Sequence, residues 1–391
     1  MEFQLESNLL RDGSGESGQN KAPRSGTFRR IKPDTKFLEG EEVEGVHLLT
    51  DYDLVRELQV RLGKFIPKGK KDFFSVMWPV SLSTDNVHLL ASEPYVVGPK
   101  PSGPRFLLYV DPSGDIFLES MTQHIFRVDE DHAIKMESFD GRPITDTLLD
   151  GIVTREKLNG ADASCDGNGE DGTTGKLTFV ICDAIRCNGK DLTSSSILQR
   201  IACVRDEIMK PRMFAMKNRM RSDEKEAFDL DIVEYHEAHQ AENYLSREFV
   251  ERYKYPFRSL VFFPRKKLYR SFTNKDSFQW QEGDIQECSF RLKIPKGVKE
   301  PKAGQLYVGG GGPHVQEIVH GQIALTEEIK KLDGCIIDCR YFDHQWLFIK
   351  QRHDRNYPNG RRSVMGKLAA LEKAVSRDLL LTNLEQSKGL N

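Results

Sequence analysis

The sequence predicts an α+β protein in which antiparallel strands predominate, and three stretches support this prediction. Residues 95–97 and 106–110 are β-branched, aromatic or otherwise apolar runs on either side of a turn rich in Gly and Pro, which favours strand-turn-strand. Residues 51–65 carry apolar side chains at helical spacing. From Cys288 onward the chain contains short strand-like runs with Gly-rich turns, so an all-β unit is expected there.

Length and composition fit a two-domain protein and give little indication of its partners. The chain has 391 residues, a formal net charge of -2 and 30% charged residues, a balance that by itself requires neither nucleic acid nor membrane. No apolar stretch approaches the length of a membrane span, and the N-terminus lacks the apolar core of a signal peptide. We therefore expect no membrane partner. Seven scattered cysteines indicate a reducing compartment and are interpreted as structural thiols.

Polar stretches are expected at both ends of the chain and in one insertion. Residues 1–36 are rich in Gly and Ser and predict a disordered tail, whose basic end is either a solvated surface or a patch for RNA contact or nuclear import. Residues 159–175 are rich in Gly and Asp and predict a flexible surface insertion. Residues 362–391 are expected to form one helix followed by a polar tail.

Further elements follow from periodicity and turn chemistry. Strands are expected at residues 116–118, 125–128, 148–154 and 176–182, a hairpin turn at 111–114, and mainly helical stretches at 192–209 and 224–253. His236 and His239 would lie one turn apart on the last of these. Metal binding by this pair is one interpretation, but without a further ligand at zinc spacing a charged, solvated face is the alternative that we prefer.

Lys100 is the first residue that suggests chemistry. It is expected in the turn between the first two strands, with Gly103 and Arg105 behind it, and the proline that follows holds it extended. A lysine fixed among buried strands acts as a nucleophile when its amine is deprotonated, or as a fixed positive charge for a phosphate. A solvated turn lysine is the alternative.

This stretch and its surroundings resemble the guanylyltransferase part of animal mRNA capping enzymes. The resemblance runs in the family's order from residue 36 to residue 361, through the stretches WPVSLSTDNVHLL, KPSGPR, TLLDG, LVFFP, FRLKI, LYVGG and WLFIKQRHDRNYPN. It implies a nucleotidyltransferase domain of the DNA ligase and capping enzyme type (ATP-grasp-like) over residues 37–287. It also implies an OB-fold β-barrel over residues 288–361, and no triphosphatase domain is expected ahead of them.

The resemblance also implies ligands, partners and a location. The ligand would be a guanine nucleotide or an RNA 5′ end, and the partners would be RNA polymerase II or capping-pathway proteins in the nucleus. Lys100 stands where the family's lysine becomes covalently guanylylated, and Phe117 stands where an aromatic ring stacks on guanine. The other candidates for nucleotide or cap binding are Gly103, Arg105, Arg352, Asp354 and Arg355. Core packing of Phe117 and surface ion pairs of Arg352 and Arg355 are the alternatives.

Several other family positions have lost the residues that the reaction uses. Guanylyl transfer needs an unprotonated lysine, carboxylates for a divalent metal, and cations that offset charge on the phosphates. Ile152 replaces the metal-linked glutamate, and Gln279 and Gln281 replace two lysines. The remaining degraded positions are Ser102, Ser120, Met121 and Arg258. We therefore predict no metal site and a pseudoenzyme that binds guanine nucleotide, cap or RNA 5′ ends.

Two alternatives remain open. One is an active guanylyltransferase that transfers GMP from GTP through Lys100 to diphosphate RNA ends, with Mg or Mn as cofactor. The other is a protein scaffold with an empty cleft.

Overall fold

The computed structural model describes residues 35–38, 41–70, 73–157, 175–218, 225–282, 286–297, 301–309, 317–352 and 358–389. The predicted tail, except for its last two residues, and the predicted insertion, except for Gly175, lie outside these ranges. No helix in the described ranges is both long and apolar enough to cross a membrane.

Strands follow one another along most of the described chain. In order they are β1 (Val46–Leu48), β2 (Met77–Ser81), β3 (Tyr95–Pro101), β4 (Arg105–Val110), β5 (Ile116–Ser120), β6 (Ile125–Val128), β7 (Thr147–Arg155), β8 (Leu177–Cys187), β9 (Lys190–Asp191), β10 (Asp229–Ile232), β11 (His236–Glu237), β12 (Phe257–Pro264), β13 (Phe272–Gln281), β14 (Gln286–Lys293), β15 (Ala303–Gly309), β16 (Glu317–Ala324), β17 (Ile336–Phe342) and β18 (Gln345–Gln351).

Helices lie around and between these strands. They are α1 (Tyr52–Phe65), α2 (Ile197–Val204), α3 (Lys210–Lys217), α4 (Ala241–Leu245), α5 (Arg247–Arg252), α6 (Glu327–Lys330), α7 (Arg361–Glu372) and α8 (Arg377–Gln386). Asp51 begins α1 by accepting hydrogen bonds from the first backbone N–H groups of the helix, so the predicted helix at 51–65 is confirmed.

Two sheets face each other in the first part of the molecule. One has the strand order β1-β6-β5-β4-β7-β8-β10, with β9 added to β8, and the other has the order β11-β3-β12-β13-β2. All pairs are antiparallel except β10 with β8 and β13 with β2. The hairpin turn between β4 and β5 is confirmed: the Asp111 carboxylate accepts hydrogen bonds from the N–H groups of Ser113 and Asp115.

The space between the two sheets is filled by one apolar cluster. Leu107, Tyr109 and Phe117 contribute from the first sheet, whereas Val96 and Val261 contribute from the second. Helix α1 packs its apolar face into the same cluster. Alternate residues of β3 and β12 face the other way, toward a second cluster on the outer side of the second sheet.

The last five strands close into a barrel in the order β14-β15-β16-β18-β17. The pairs are antiparallel except β16 with β18, and Phe290, Leu306, Ile337 and Trp346 fill the interior. A closed five-stranded barrel with this connectivity is an OB-fold. The predicted fold class, an antiparallel α+β unit followed by an OB-fold, is therefore confirmed.

Helix α7 packs against the barrel through Val364 and Leu368, and α8 returns to the cluster on the outer side of the second sheet. Leu380 and Leu384 of α8 pack in the outer cluster, and the Trp280 indole N–H donates to the carbonyl of Val375 at 2.8 Å. A polar tail was expected at this point, and that expectation was wrong because two leucines four residues apart give α8 an apolar face.

Two predicted helical stretches were also wrong in part. The first begins at Ile197 rather than at residue 192, passes through a π-helical turn at Arg205–Met209 and continues as α3. The stretch at 224–253 contains β10 and β11 ahead of its short helices, because β8 and β3 offer edges to which these residues pair. His236 lies in β11 and His239 in a 3₁₀ turn, so the two are not one turn apart on a helix.

Candidate functional site

Lys100 lies in β3 and not in the predicted turn. Strand β12 pairs with β3 up to Pro101 and places Ser259 opposite Lys100, so the turn is confined to residues 102–104. The partly buried Lys100 amine donates to Oε1 of Gln279 at 3.0 Å, and Nε2 of Gln279 donates to Oγ of Ser259 at 3.2 Å. Three polar side chains from three neighbouring strands therefore form a chain of hydrogen bonds that begins at the lysine.

The surroundings of Lys100 favour its unprotonated form. Burial and, after it, the positive charges of Arg105 and Lys367 lower the pKa of Lys100 from 10.5 to about 8, against the opposing effects of Cys182 and Asp150. About half of the amine is therefore neutral near pH 8, and the neutral form is the one that attacks an electrophile. Lys367 belongs to α7, so the C-terminal part of the chain contributes to the electrostatics of the site.

We expect Lys100 to be acylated by a small amine-reactive reagent with a rate that rises to a plateau with a midpoint near pH 8. Ordinary lysines reach half of their maximal rate near pH 10.4. Residue-resolved peptide mass spectrometry at graded pH measures the profile, with the exposed Lys266 as internal comparison. A Lys100 profile that coincides with that of an ordinary lysine contradicts the environment described above.

Arg105 is held by three hydrogen bonds and one ring contact at the start of β4. Its guanidinium donates to both carboxylate oxygens of Asp150, at 2.7 and 2.5 Å, and to the carbonyl of Met77 at 2.9 Å. It also lies over the Trp78 ring, with its Cζ 4.7 Å from the centroid. Since the Asp150 side chain is 1% exposed, this bidentate ion pair fixes Arg105 in the wall of the cleft near Lys100.

Gly103 allows the turn between β3 and β4 to approach β7. Its φ of +152° is rarely adopted by other residues, and an added Cβ would lie 2.0 Å from the carbonyl oxygen of Val153. The glycine of the predicted motif therefore has a clear role in the backbone, and no side-chain function needs to be assigned to it.

Phe117 is packed in the cluster between the sheets, with 4% of its surface exposed. Its neighbours in that cluster include Leu107, Tyr109 and Val180. Its position on the inner face agrees with the predicted cleft, and its burial agrees with the packing alternative.

The side chains and backbone at the positions predicted to be degraded make other contacts. Gln279 accepts from Lys100, Ser120 Oγ lies 3.0 Å from Thr122 Oγ1, and the Ser102 N–H donates to the carbonyl of Pro256 at 2.7 Å. Met121 packs against the inter-sheet cluster, and Gln281 pairs with Ser259 across β13 and β12.

Arg258 lies outside the cleft. It is exposed, and it alternates along β12 with Ser259, which is on the inner face with Lys100. On the outer face Arg258 lines a surface cavity together with Trp280 and Tyr244. It is therefore not placed to replace a missing cation beside Lys100.

The described residues of the cleft do not fit a divalent metal. Such an ion requires carboxylate or other oxygen ligands, but Ile152 is apolar and 3% exposed, and Asp150 is bound by Arg105. In the described ranges no group of three or more His, Cys, Asp or Glu side chains is arranged to hold a metal ion.

The last predicted motif is only partly within the described ranges. Arg352 donates to Oδ2 of Asp338 at 3.1 Å, and this carboxylate also accepts from the hydroxyl of Ser289. Asp354 and Arg355 lie outside the described residues. The described part of the motif is thus a largely buried ion pair of the barrel, and the surface alternative for Arg352 stays a prediction.

Sequence reasoning missed four side chains of this region. Asp150 and Trp78 stand within the quoted stretches TLLDG and WPVSLSTDNVHLL and were noticed only as part of them. Lys367 gave no local signal, because only the tertiary fold brings α7 close to Lys100. Glu119 was missed, although its position is unusual. Side chains two residues apart in a strand share a face, so Glu119 lies on the same buried face of β5 as Phe117.

A family model described as "mRNA capping enzyme, catalytic domain" matches residues 38–283. The match covers the two-sheet unit, including Lys100 and the strands around it, and ends before the barrel.

Full-length relatives extend the similarity through the barrel. An mRNA-capping enzyme of Danio rerio is 26% identical over 374 residues, which covers 95% of this chain and 58% of that protein. One from Mus musculus is 26% identical and covers 91% of this chain and 57% of the relative. The chain thus spans less than two thirds of either relative. The mRNA-capping enzyme subunit alpha of Schizosaccharomyces pombe is 22% identical, with 90% of both chains covered.

Solved structures of DNA ligases are more distant. Mycobacterial DNA ligase D complexed with ATP and MES is 14% identical with a TM-score of 0.36, and covers 72% of this chain and 96% of the ligase chain. The ATP-dependent DNA ligase of bacteriophage T7 in complex with ATP is 10% identical with a TM-score of 0.35, and covers 71% of this chain and 98% of the ligase.

Proposed function

Since the chain belongs to the mRNA capping enzyme family, we propose that it is a guanylyltransferase-like pseudoenzyme whose cleft at Lys100 binds a guanine nucleotide, a cap or an RNA 5′ end. The observation that supports this proposal most directly is the partner of the Lys100 amine. A neutral amide, Gln279, stands within 3.0 Å of it, where the resemblance implies a lysine for the phosphates.

The groups that remain suit binding better than they suit transfer. Lys100 and Lys367 are positive charges near one another, beside the Arg105 guanidinium that is paired with Asp150, and this arrangement favours a phosphate chain. The carboxylate of Asp150 is occupied by Arg105, and Ile152 offers no ligand for a metal. Loss of a single transition-state contact commonly lowers a rate by about a hundredfold or more, so several losses at one centre leave little transfer.

An active guanylyltransferase is the second candidate, and the lowered pKa of Lys100 favours it. In that reaction the neutral Nζ forms a bond to the α-phosphorus of GTP, pyrophosphate leaves with the electrons of the broken P–O bond, and the nitrogen loses a proton. The described residues give no metal site for this step.

The biological setting belongs to the same proposal. A capping-type fold without full catalytic equipment suits a protein that acts beside an intact capping enzyme in the nucleus, with RNA polymerase II or capping-pathway proteins as partners. The chain spans 58% and 57% of the two animal relatives. The partners are therefore proposed only for the part of those relatives that this chain matches. A scaffold with an empty cleft is the outcome if no nucleotide or RNA binds.

Incubation with α-phosphate-labelled GTP and either Mg²⁺ or Mn²⁺ tests the chemistry. We expect no label that survives denaturation, and we expect GTP to bind the same sample in equilibrium titration. Lys100→Ala is expected to weaken binding at least tenfold through loss of a charge-assisted contact, whereas Lys266→Ala, an exposed matched control, leaves it unchanged.

The outcomes separate the candidates. A stable label that Lys100→Ala abolishes and Lys266→Ala retains makes the chain an active guanylyltransferase. Absence of both label and binding, for GTP, capped RNA and triphosphate RNA alike, leaves the scaffold.

A further inference from the structure

Three carboxyl groups lie in one row across the inner face of the first sheet. Strand pairing aligns Glu119 of β5 with Leu107 of β4, Leu107 with Asp150 of β7, and Asp150 with Asp183 of β8. All three acids are buried, and none is more than 3% exposed over the whole residue. A row of buried acids is unusual, because each ionised carboxylate needs a partner to offset its desolvation.

Two of the three acids have such a partner. Asp150 is held by Arg105 as described above, and Asp183 accepts two hydrogen bonds from Arg200, at 2.6 and 2.8 Å. Among the described residues none forms a hydrogen bond or an ion pair with the carboxyl of Glu119, and burial alone raises the pKa of Glu119 to about 8. Glu119 thus differs from the other two acids of the row, each of which has an arginine partner among the described residues.

The position of Glu119 indicates where its partner would come from. Its cross-strand neighbours Leu107 and Ile125 belong to the cluster between the sheets, as does Phe117 two residues earlier on the same strand. Glu119 and Phe117 therefore face the space between the sheets, one β-pleat repeat apart. The charged amine of Lys100 and the Arg105 guanidinium face the same space from β3 and β4.

We propose that Glu119 reads the base of the nucleotide by accepting hydrogen bonds from the N1–H and the exocyclic N2 amino group of guanine. This inference rests on the proposed function, since it names the base-reading residue of the same cleft. A carboxylate has two oxygens that accept side by side, and these two guanine groups donate side by side. Adenine has no donor at either position, and hypoxanthine keeps N1–H but lacks the amino group, so the carboxylate discriminates among the three.

The cleft must admit the base for this reading to occur. Phe117 and Glu119 are both buried in the free protein, so the base enters by displacing part of the apolar packing between the sheets. The flat ring then replaces apolar contacts with Phe117, and its donors stabilise the ionised form of Glu119. Binding thereby supplies the partner that the described residues do not provide.

Equilibrium titration with GTP, ITP and ATP tests the proposal on the full chain. We expect wild type to bind GTP about tenfold or more tightly than ITP, since a hydrogen bond to a charged group is lost, and to bind ATP more weakly still. Glu119→Gln should bring the GTP-to-ITP ratio below about threefold. Glu137→Gln, at an exposed carboxylate on the same unit, should keep the wild-type ratio. A parallel titration compares GTP with 7-methyl-GTP. The two ligands present the same two donors, so a difference in affinity reports the effect of the 7-methyl group and shows whether free nucleotide or cap is preferred.

Each outcome has a distinct meaning. Equal affinities of wild type for GTP and ITP, or an unchanged ratio in Glu119→Gln, overturn the role of Glu119 while the proposed function stands. If wild type binds none of the nucleotides, the proposed function fails and this inference fails with it. The comparison of GTP with ITP on wild type needs no variant, so it holds whether or not Glu119→Gln folds.

Discussion

Replacing Asp183 with Ala is expected to lower the free energy of unfolding by about 3–5 kcal/mol. The Arg200 and Asp183 side chains are 2% and 5% exposed, and they form two parallel hydrogen bonds between α2 and β8. Without Asp183 the guanidinium stays buried with one hydrogen bond, to the carbonyl of Ser195, and with a contact to the Tyr269 ring. An uncompensated buried charge is the main reason for the loss. Urea unfolding followed by tryptophan fluorescence measures it.

Two further variants test that reason. Asp183→Leu combined with Arg200→Met removes both charges and should recover most of the lost stability, because an apolar pair of similar size needs no desolvation of ions. Glu57→Ala removes one partner of the exposed ion pair with Arg61 on α1 and should cost no more than about 1 kcal/mol. If the single and double variants at 183 and 200 lose the same amount, packing and not charge explains the effect.

Replacing Glu119 with Gln is expected to stabilise the fold by about 3 kcal/mol at pH 7. The pKa of Glu119 is about 8 in the folded chain against an ordinary value of 4.5. Between these two values the unfolded chain ionises Glu119 while the folded chain keeps it protonated. Stability therefore falls by about 1.4 kcal/mol for each pH unit above 4.5 until pH 8 is reached. Gln does not ionise, so the variant escapes this loss.

The pH dependence identifies the cause of the Glu119 effect. Burial is the cause of the raised pKa of Glu119. The stability difference between Glu119→Gln and wild type should be near zero at pH 4.5 and should grow up to pH 8. Urea titrations at three pH values measure it, with Glu137→Gln beside them. A difference that does not change with pH means that Glu119 has a partner in the folded state.

The sequence was most informative where structure is local. The hairpin at 111–114 and the helix at 51–65 depend on the turn residues and the spacing of a few neighbours, and both were predicted correctly. The OB-fold was expected through the resemblance and is confirmed by strand pairing. The stretch at 224–253 was misread because β10 pairs with β8, a partner distant in sequence, and such pairing overrides the helical preference of a short polar segment.

The candidate site shows the same division. Lys100, Gly103 and Arg105 were found as a motif, and the structure places them on adjoining strands and the turn between them. The sequence predicted Lys100 in the turn, whereas it lies in a strand. The strand extends to Lys100 because Ser259 pairs with it, and a pairing between residues so far apart in the chain leaves no local sequence pattern. The hydrogen bond to Gln279 and the charge of Lys367 depend on tertiary contacts of the same kind, for which no local pattern exists.

The return of α8 to the outer cluster of the second sheet has a consequence for biosynthesis. Lys373 pairs with Asp85, 288 positions earlier in the chain, and Leu380 and Leu384 cover the outer face that contains Phe262 and Trp280. Domains generally fold as they leave the ribosome, which adds about 5–20 residues per second. The part of this cluster that Leu380 and Leu384 cover therefore stays exposed while about 100 further residues are translated, an interval of about 5–20 seconds. During that interval the nascent chain presents an apolar surface of this cluster, to which a chaperone can bind.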